Sequence, residues 1–194
     1  MVVDGWPAAA SRVPGFHGCD SQLAANAIRN TAVQFSLLLQ LLILLVVANG
    51  AAVAAKKLFG SVLAYPVDAG ALFLDGQPLF GPSKTIRGIA SSVIATSICA
   101  MLMGLGWKIG ALIGAFAMEG DLFSSFVKRR LHRPPSSMAI GLDHIPESLF
   151  PLLVIRSLLP LSILGVVVGV TIFVIGALIL SPLLFKLKLR DEPY

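Results

Sequence analysis

Three short stretches of this sequence carry residues that could act together on a phosphate. In GDLFSSFVKRR, Asp121, Ser125, Lys128 and Arg129 fall at i, i+4, i+7 and i+8, so on a helix they line one stripe with Ser124 at its margin. In GLDHIPESL, Asp143 and Glu147 stand four apart where a later apolar segment opens. Carboxylates from two helices meeting at one interface suit Mg²⁺, which prefers hard oxygen ligands and leaves positions for water and substrate phosphates. Two such ions could clamp the attacking and leaving oxygens of an in-line displacement. The third stretch, GPSKTIRG (residues 81 to 88), sets Ser83, Lys84, Thr85 and Arg87 at a helix start, where backbone N–H groups, hydroxyls and two cations favour a phosphate. It lacks the spacing of a Walker P-loop and follows no βαβ strand.

Each stretch also has a plainer reading. Asp121 could form a structural ion pair with Lys128 or Arg129, Asp143 could be an N-cap with Glu147 favouring the helix dipole, and the SKTIRG loop could rest on anionic headgroups. An ionised Asp within an apolar helix costs about 2.5–3.5 kcal/mol at mid-bilayer and so needs a partner or a water-filled cavity, but a purely structural pair would leave the other two stretches unexplained. All three stretches also fall on one predicted side of the membrane.

The elements that must position these residues are membrane helices. The 194-residue chain is 56% hydrophobic and 13% charged, with mean hydropathy +0.87, against about half apolar and a quarter charged for a soluble domain. At about 20 residues per span, the sequence reads as an all-α integral membrane protein of about five transmembrane helices. Predicted spans run over residues 32 to 55, 86 to 105, 107 to 130, 145 to 159 and 161 to 185, forming a single transmembrane domain over 32 to 194. Residues 1 to 31, with Pro7 and Pro14, read as an extracytoplasmic tail ending in at most a short helix. Residues 56 to 87 are too polar to cross lipid and too rich in Gly and Pro for one helix, so they form a folded surface loop.

Of the fifteen Lys and Arg, eleven fall in this loop, in residues 128 to 144, or in the C-terminal tail. The positive-inside rule then places both polar loops and the C-terminus in the cytoplasm and the N-terminus outside, so the active site faces the cytoplasm across the plasma membrane. The net charge of +5 is loop charge of this kind, and nucleic acid is excluded as a partner. Cys19 and Cys99 are too few and too separate for a disulfide framework or a zinc site. Gly106, Gly110 and Gly114, and again Gly165 and Gly169, are four apart, a spacing for close helix contacts within one chain or across a homodimer.

The motifs resemble those of the CTP-dependent lipid-phosphate cytidylyltransferases, and more closely the short five-span CDP-archaeol synthase family. GDLFSSFVKRR looks like the family signature; Asn49 near the end of the first span, PVDAG from Pro66 to Gly70, and LFGPSKTIRG from Leu79 to Gly88 match further motifs. The resemblance covers about residues 48 to 148. It implies a Mg²⁺-dependent enzyme in which a lipid phosphate attacks the α-phosphorus of CTP, giving CDP-archaeol or CDP-diacylglycerol and pyrophosphate for phospholipid synthesis. By position it assigns Asp121 and Asp143 to the metal and Lys128 and Arg129 to the CTP phosphates. Ser124 or Ser125 would bond a phosphate or water, Lys84, Thr85 and Arg87 would grip a phosphate from the facing loop, and Asn49 and Asp68 would shape the nucleotide pocket. The family has an acid three residues after the position of Asp143; this chain has Pro146 there, followed by Glu147. Two other readings of the chain are a small transporter or channel, from Asp121 and Arg156 in apolar segments, and an inactive nucleotide-binding relative.

Overall fold

The computed structural model describes the backbone of residues 16 to 132 and 141 to 186, with side chains from 29 to 132 and 141 to 180. Residues 1 to 15 of the expected 1-to-31 tail, most of the linker after the basic stretch, and Lys188 and Arg190 lie outside the described residues. Five helices follow one another: α1 (Phe16–Phe59), α2 (Ile86–Leu102), α3 (Trp107–Arg130), α4 (His144–Arg156) and α5 (Ile163–Lys186). The described residues form no strand, only two isolated bridges.

Burial in α1 follows the helical repeat. Leu37, Leu38, Leu41, Leu44, Leu45 and Ala48 face inward, where they join Ala100 of α2, Ile113 and Ala117 of α3, Leu152 and Ile155 of α4, and Val166 and Phe173 of α5. The opposite face of α1 is also apolar, with Phe35, Leu39 and Val46 exposed. A helix apolar on both faces belongs in lipid. Among the described residues, the stretches long and apolar enough to cross a membrane are Arg29–Phe59, Trp107–Arg130 and Ile163–Leu180. The 17-residue α2 rises about 25 Å and the 13-residue α4 about 20 Å, against a hydrocarbon core of about 30 Å.

Four boundaries differ from the sequence expectation by three residues or more, the first being the end of α1, which runs through Lys56 and Lys57 to Phe59 instead of stopping at 55. Helix α1 starts at Phe16, well inside the predicted tail, because the segment before residue 32 has no Pro or Gly after Gly18 to stop it. Helix α2 ends at Leu102, since the turn of Met103 to Gly106 takes residues that the hydropathy run had included. Helix α4 stops at Arg156 rather than 159, its last carbonyls closed by the N–H groups of Ser157 and Leu158.

Small residues set the spacing of the bundle. A Cβ on Gly110 would lie 2.2 Å from the Thr96 carbonyl and one on Gly114 2.4 Å from Thr96 Oγ1, so α2 and α3 pack backbone to backbone. Gly169 instead faces side-chain tips, with the Leu38 and Leu152 methyl groups at 2.9 and 3.0 Å from an added Cβ. Gly110, Gly114 and Gly169 thus make close contacts within one chain, while Gly165 meets only Leu161 and Ser162 just before it and Gly106 is the N-cap of α3 in open space.

The segment between α1 and α2 is folded. Val67 and Ile86 N–H groups donate to the carbonyls of Lys84 and Tyr65, closing its base, and a smaller hairpin over residues 71 to 79 turns at Asp75-Gly76. Asp68 organises the joint between them. Its buried carboxylate accepts N–H groups of Gly70 at 3.1 Å, Phe80 at 3.0 Å and Gly81 at 2.9 Å. Burial alone would raise its pKa, but these donors outweigh it and hold the carboxyl below its ordinary value.

Candidate active site

The site lies where the 60-to-85 loop and the start of α4 both close on the polar end of α3. Lys84, two residues before α2, reaches Asp121 of α3 with Nζ 2.6 Å from Oδ1 and 2.5 Å from Oδ2. Two turns further along α3, Lys128 Nζ lies 2.5 Å from Asp143 Oδ1. Asp121 therefore pairs across to the loop, and neither Lys128 nor Arg129 is needed to neutralise it. Asp143 occupies the N-cap position of α4 with helical backbone angles and makes no side-chain cap bond; its carboxylate is turned to Lys128 instead.

Gly120 brings α3 and α4 this close. A Cβ there would stand 2.3 Å from the Pro146 carbonyl and 2.7 Å from Glu147 Cα, so only hydrogen fits between the two backbones. The buried Glu147 thus sits beside the Asp121 turn, with Oε2 3.3 Å from His144 Nδ1. Pro146, at the position where the sequence resemblance implies an acid, is a packing residue of this crossing.

The other expected residues fall into two groups. Ser124 and Ser125 are buried on α3, and the Ser124 hydroxyl donates to the Asp121 carbonyl at 2.9 Å. Arg129 is buried against Gly81, whose φ of +93° and missing Cβ leave room for the guanidinium. The remainder are engaged elsewhere. Thr85 is the N-cap of α2, its hydroxyl accepting the Gly88 N–H at 3.2 Å. The Arg87 guanidinium donates to the carbonyls of Gly60, at 3.1 Å, and Val62. Asn49 Nδ2 donates to the Leu45 carbonyl one turn back, and Asp68 serves its own loop.

The sequence alone does not single out Arg130. It pairs with Asp75 at 3.0 Å and donates to the Pro78 carbonyl at 2.8 Å. The signal for it is the run KRR: at 100° per residue, three successive cations at a helix end must point three ways. Here Lys128 goes to α4, Arg129 to Gly81 and Arg130 to the hairpin.

For a divalent cation the donors are right in type, since Asp121, Asp143 and Glu147 offer carboxylate oxygens at one end of the bundle. Among the described residues, however, no three His, Cys, Asp or Glu gather closely enough to hold one ion. Each carboxylate is matched by a basic side chain, and Lys84 Nζ spans both oxygens of Asp121 as a bidentate metal would.

No family model matches the chain. A CDP-archaeol synthase from Pyrobaculum calidifontis is 34% identical over 161 residues, covering 76% of this chain and 91% of that protein. The chain belongs to the CDP-archaeol synthase family. A member from Pyrobaculum aerophilum is 31% identical, over 76% of this chain and 92% of its own. A solved structure described as an intramembrane enzyme for archaeal membrane lipids biosynthesis superposes with a TM-score of 0.59 at 29% identity, covering 72% of this chain and 91% of that one. Family and fold together make this chain a multi-pass membrane enzyme and set aside the transporter reading.

Proposed function

We propose that this enzyme transfers CMP from CTP to the phosphate of a membrane lipid, with an archaeol-type phosphate as substrate and CDP-archaeol as product. The observation that carries this is the double closure on α3, Lys84 on Asp121 and Lys128 on Asp143, which collects two acids and two lysines at one end of an apolar helical bundle. A lipid phosphate oxygen forms the new bond to the α-phosphorus of CTP. The bond from that phosphorus to the β-phosphate bridge breaks, and pyrophosphate leaves with its electron pair.

The chain's part is positioning and charge stabilisation, with no covalent nucleophile. Lys84 and Lys128, each on a flexible four-carbon stem, turn from their carboxylates to the incoming phosphates; Arg129 adds a fixed positive charge beside them. The Ser124 hydroxyl and its neighbour Ser125 supply hydrogen bonds on the same stripe. Asp121 and Asp143, with Glu147 in the place of the acid replaced by Pro146, would hold Mg²⁺ once the lysines are drawn off, and that ion would offset the charge accumulating on the phosphate oxygens. The site opens to the cytoplasm, as the distribution of Lys and Arg favours.

Purified protein with CTP, Mg²⁺ and a dialkyl glycerol phosphate should release pyrophosphate and form a CDP-lipid, and chelation of Mg²⁺ should stop both. A competing diacyl phosphate tests lipid choice. Absence of pyrophosphate with either lipid would overturn the proposal.

A further inference from the structure

The sequence sets a mechanical problem around Lys84. This cation must meet Asp121 on α3, yet it belongs to a glycine-rich segment of some 25 residues between α1 and α2 that carries no helix of its own. Its base is closed by the Pro66 and Thr85 bridge, and its centre is gathered by Asp68. Both are internal to the loop, so neither fixes it relative to α3. The hairpin at residues 71 to 79 is tied to the bundle around the last residue of α3, Arg130, and the Phe73 and Phe126 rings beside it.

Arg130 engages that hairpin in three chemically distinct ways. Nη1 lies 3.0 Å from Asp75 Oδ1 at the turn, and Nη2 donates to the Pro78 carbonyl at 2.8 Å on the returning limb. The guanidinium carbon also lies 4.7 Å from the Phe73 ring centroid and 4.9 Å from that of Phe126. These two rings meet edge to face at 5.4 Å, so one wall of the cage comes from the hairpin and the other from α3. An exposed Arg–Asp pair would contribute little. This one is different because the Arg130 side chain is only 19% exposed and a planar fork can stack and donate in-plane at once, which an ammonium cannot.

We infer that Arg130 is a positioning residue, latching the 71-to-79 hairpin to α3 so that Lys84 is held over Asp121. The inference rests on the proposed phosphate role of Lys84, but the latch itself is testable without turnover. Arg129 packing under Gly81 gives the same loop a second seat on the neighbouring side of α3, and the latch fixes the orientation about that seat.

The test uses the full chain in nanodiscs, comparing wild type, Arg130→Lys and Asp75→Asn. Amide hydrogen exchange should speed at least tenfold over residues 71 to 81 in Arg130→Lys, and less in Asp75→Asn, while α2 and α3 stay protected. With CTP and lipid phosphate, Arg130→Lys should lower kcat at least tenfold with the KM for the lipid unchanged. In Arg130→Ala, added ethylguanidinium should restore part of the rate, whereas it should not rescue Lys84→Ala. Unchanged exchange over the hairpin in Arg130→Lys would overturn the latch. Faster exchange with an unchanged kcat would overturn its role in positioning Lys84. A wild-type protein without turnover would count against the proposed function, and the exchange result would still decide the latch.

Discussion

Lys84 and Asp121, 37 residues apart, form a bidentate ion pair of 2.6 and 2.5 Å that joins the loop before α2 to the middle helix of the bundle. About a quarter of each side chain remains exposed, so the pair is neither sealed in a core nor free in water. A sealed pair would serve the fold, and breaking it would leave a buried uncompensated charge. A pair open to phosphates can exchange partners as substrate binds.

Exchange of this kind makes the two residues one unit in the reaction. Lys84→Met and Asp121→Asn should each lower kcat by roughly 100-fold or more, and the double variant should lose far less than the product of the two. Steady-state pyrophosphate release across the four proteins measures the coupling. Full additivity would show that the two side chains act separately.

The crossing of α3 and α4 is set by a single missing methyl group. Gly120→Ala would drive a Cβ to 2.3 Å from the Pro146 carbonyl; backbone cannot give way as a side-chain tip does, so a loss of about 1–3 kcal/mol is expected. Gly176→Ala on α5, with nothing within 4 Å of its added Cβ, should be neutral or stabilising by up to about 1 kcal/mol. Thermal unfolding of both variants in one detergent makes the comparison. A Gly120→Ala protein as stable as wild type would mean that α3 and α4 are not so closely packed.

The sequence reveals the helices and the polar end of α3 because both are periodic: apolar runs long enough to fill a bilayer, and an acid, hydroxyls and cations at helical spacing. It also reveals that the segment between α1 and α2 folds as a loop without a helix of its own. What it hides is the choice of partners. Asp121 could face Lys128 on its own helix or Lys84 on another segment, and only the loop's tertiary path selects Lys84. Asp68 reads as a pocket residue until its three backbone donors are seen. Thr85 and Arg87 belong to a phosphate-like motif, yet capping and carbonyl binding compete for the same hydrogen-bonding groups. The start of α1 is obscured because helix propensity continues upstream of the hydropathy signal.

Thr85 offers a direct check on that competition. As the N-cap of α2 it satisfies the Gly88 N–H, and Thr85→Ala should cost about 1 kcal/mol of stability, with Thr85→Ser close to wild type. Because Lys84 is the adjacent residue, fraying of this turn should also lower kcat. If Thr85→Ala instead raised only the KM for CTP, with stability unchanged, the hydroxyl would be a ligand group and not a cap. Unfolding temperature and steady-state kinetics on the same preparations distinguish the two.

Asp68 predicts a pH dependence whose sign follows from its hydrogen bonds. Its carboxylate is favoured in the folded loop, so the folded-state pKa lies below the ordinary value of 3.8. The stability it contributes is complete above that value and is lost as pH falls through the folded pKa. Asp68→Asn should therefore unfold at a lower temperature than wild type, by a margin that is constant between about pH 7 and 5 and shrinks as the wild-type carboxylate is protonated below about pH 4. Measuring the difference between the two proteins cancels the titration of the other carboxylates to first order. A margin that widened as pH fell would mean that Asp68 is protonated more readily in the folded loop than in the unfolded chain, and that the N–H groups of Gly70, Phe80 and Gly81 do not hold its charge.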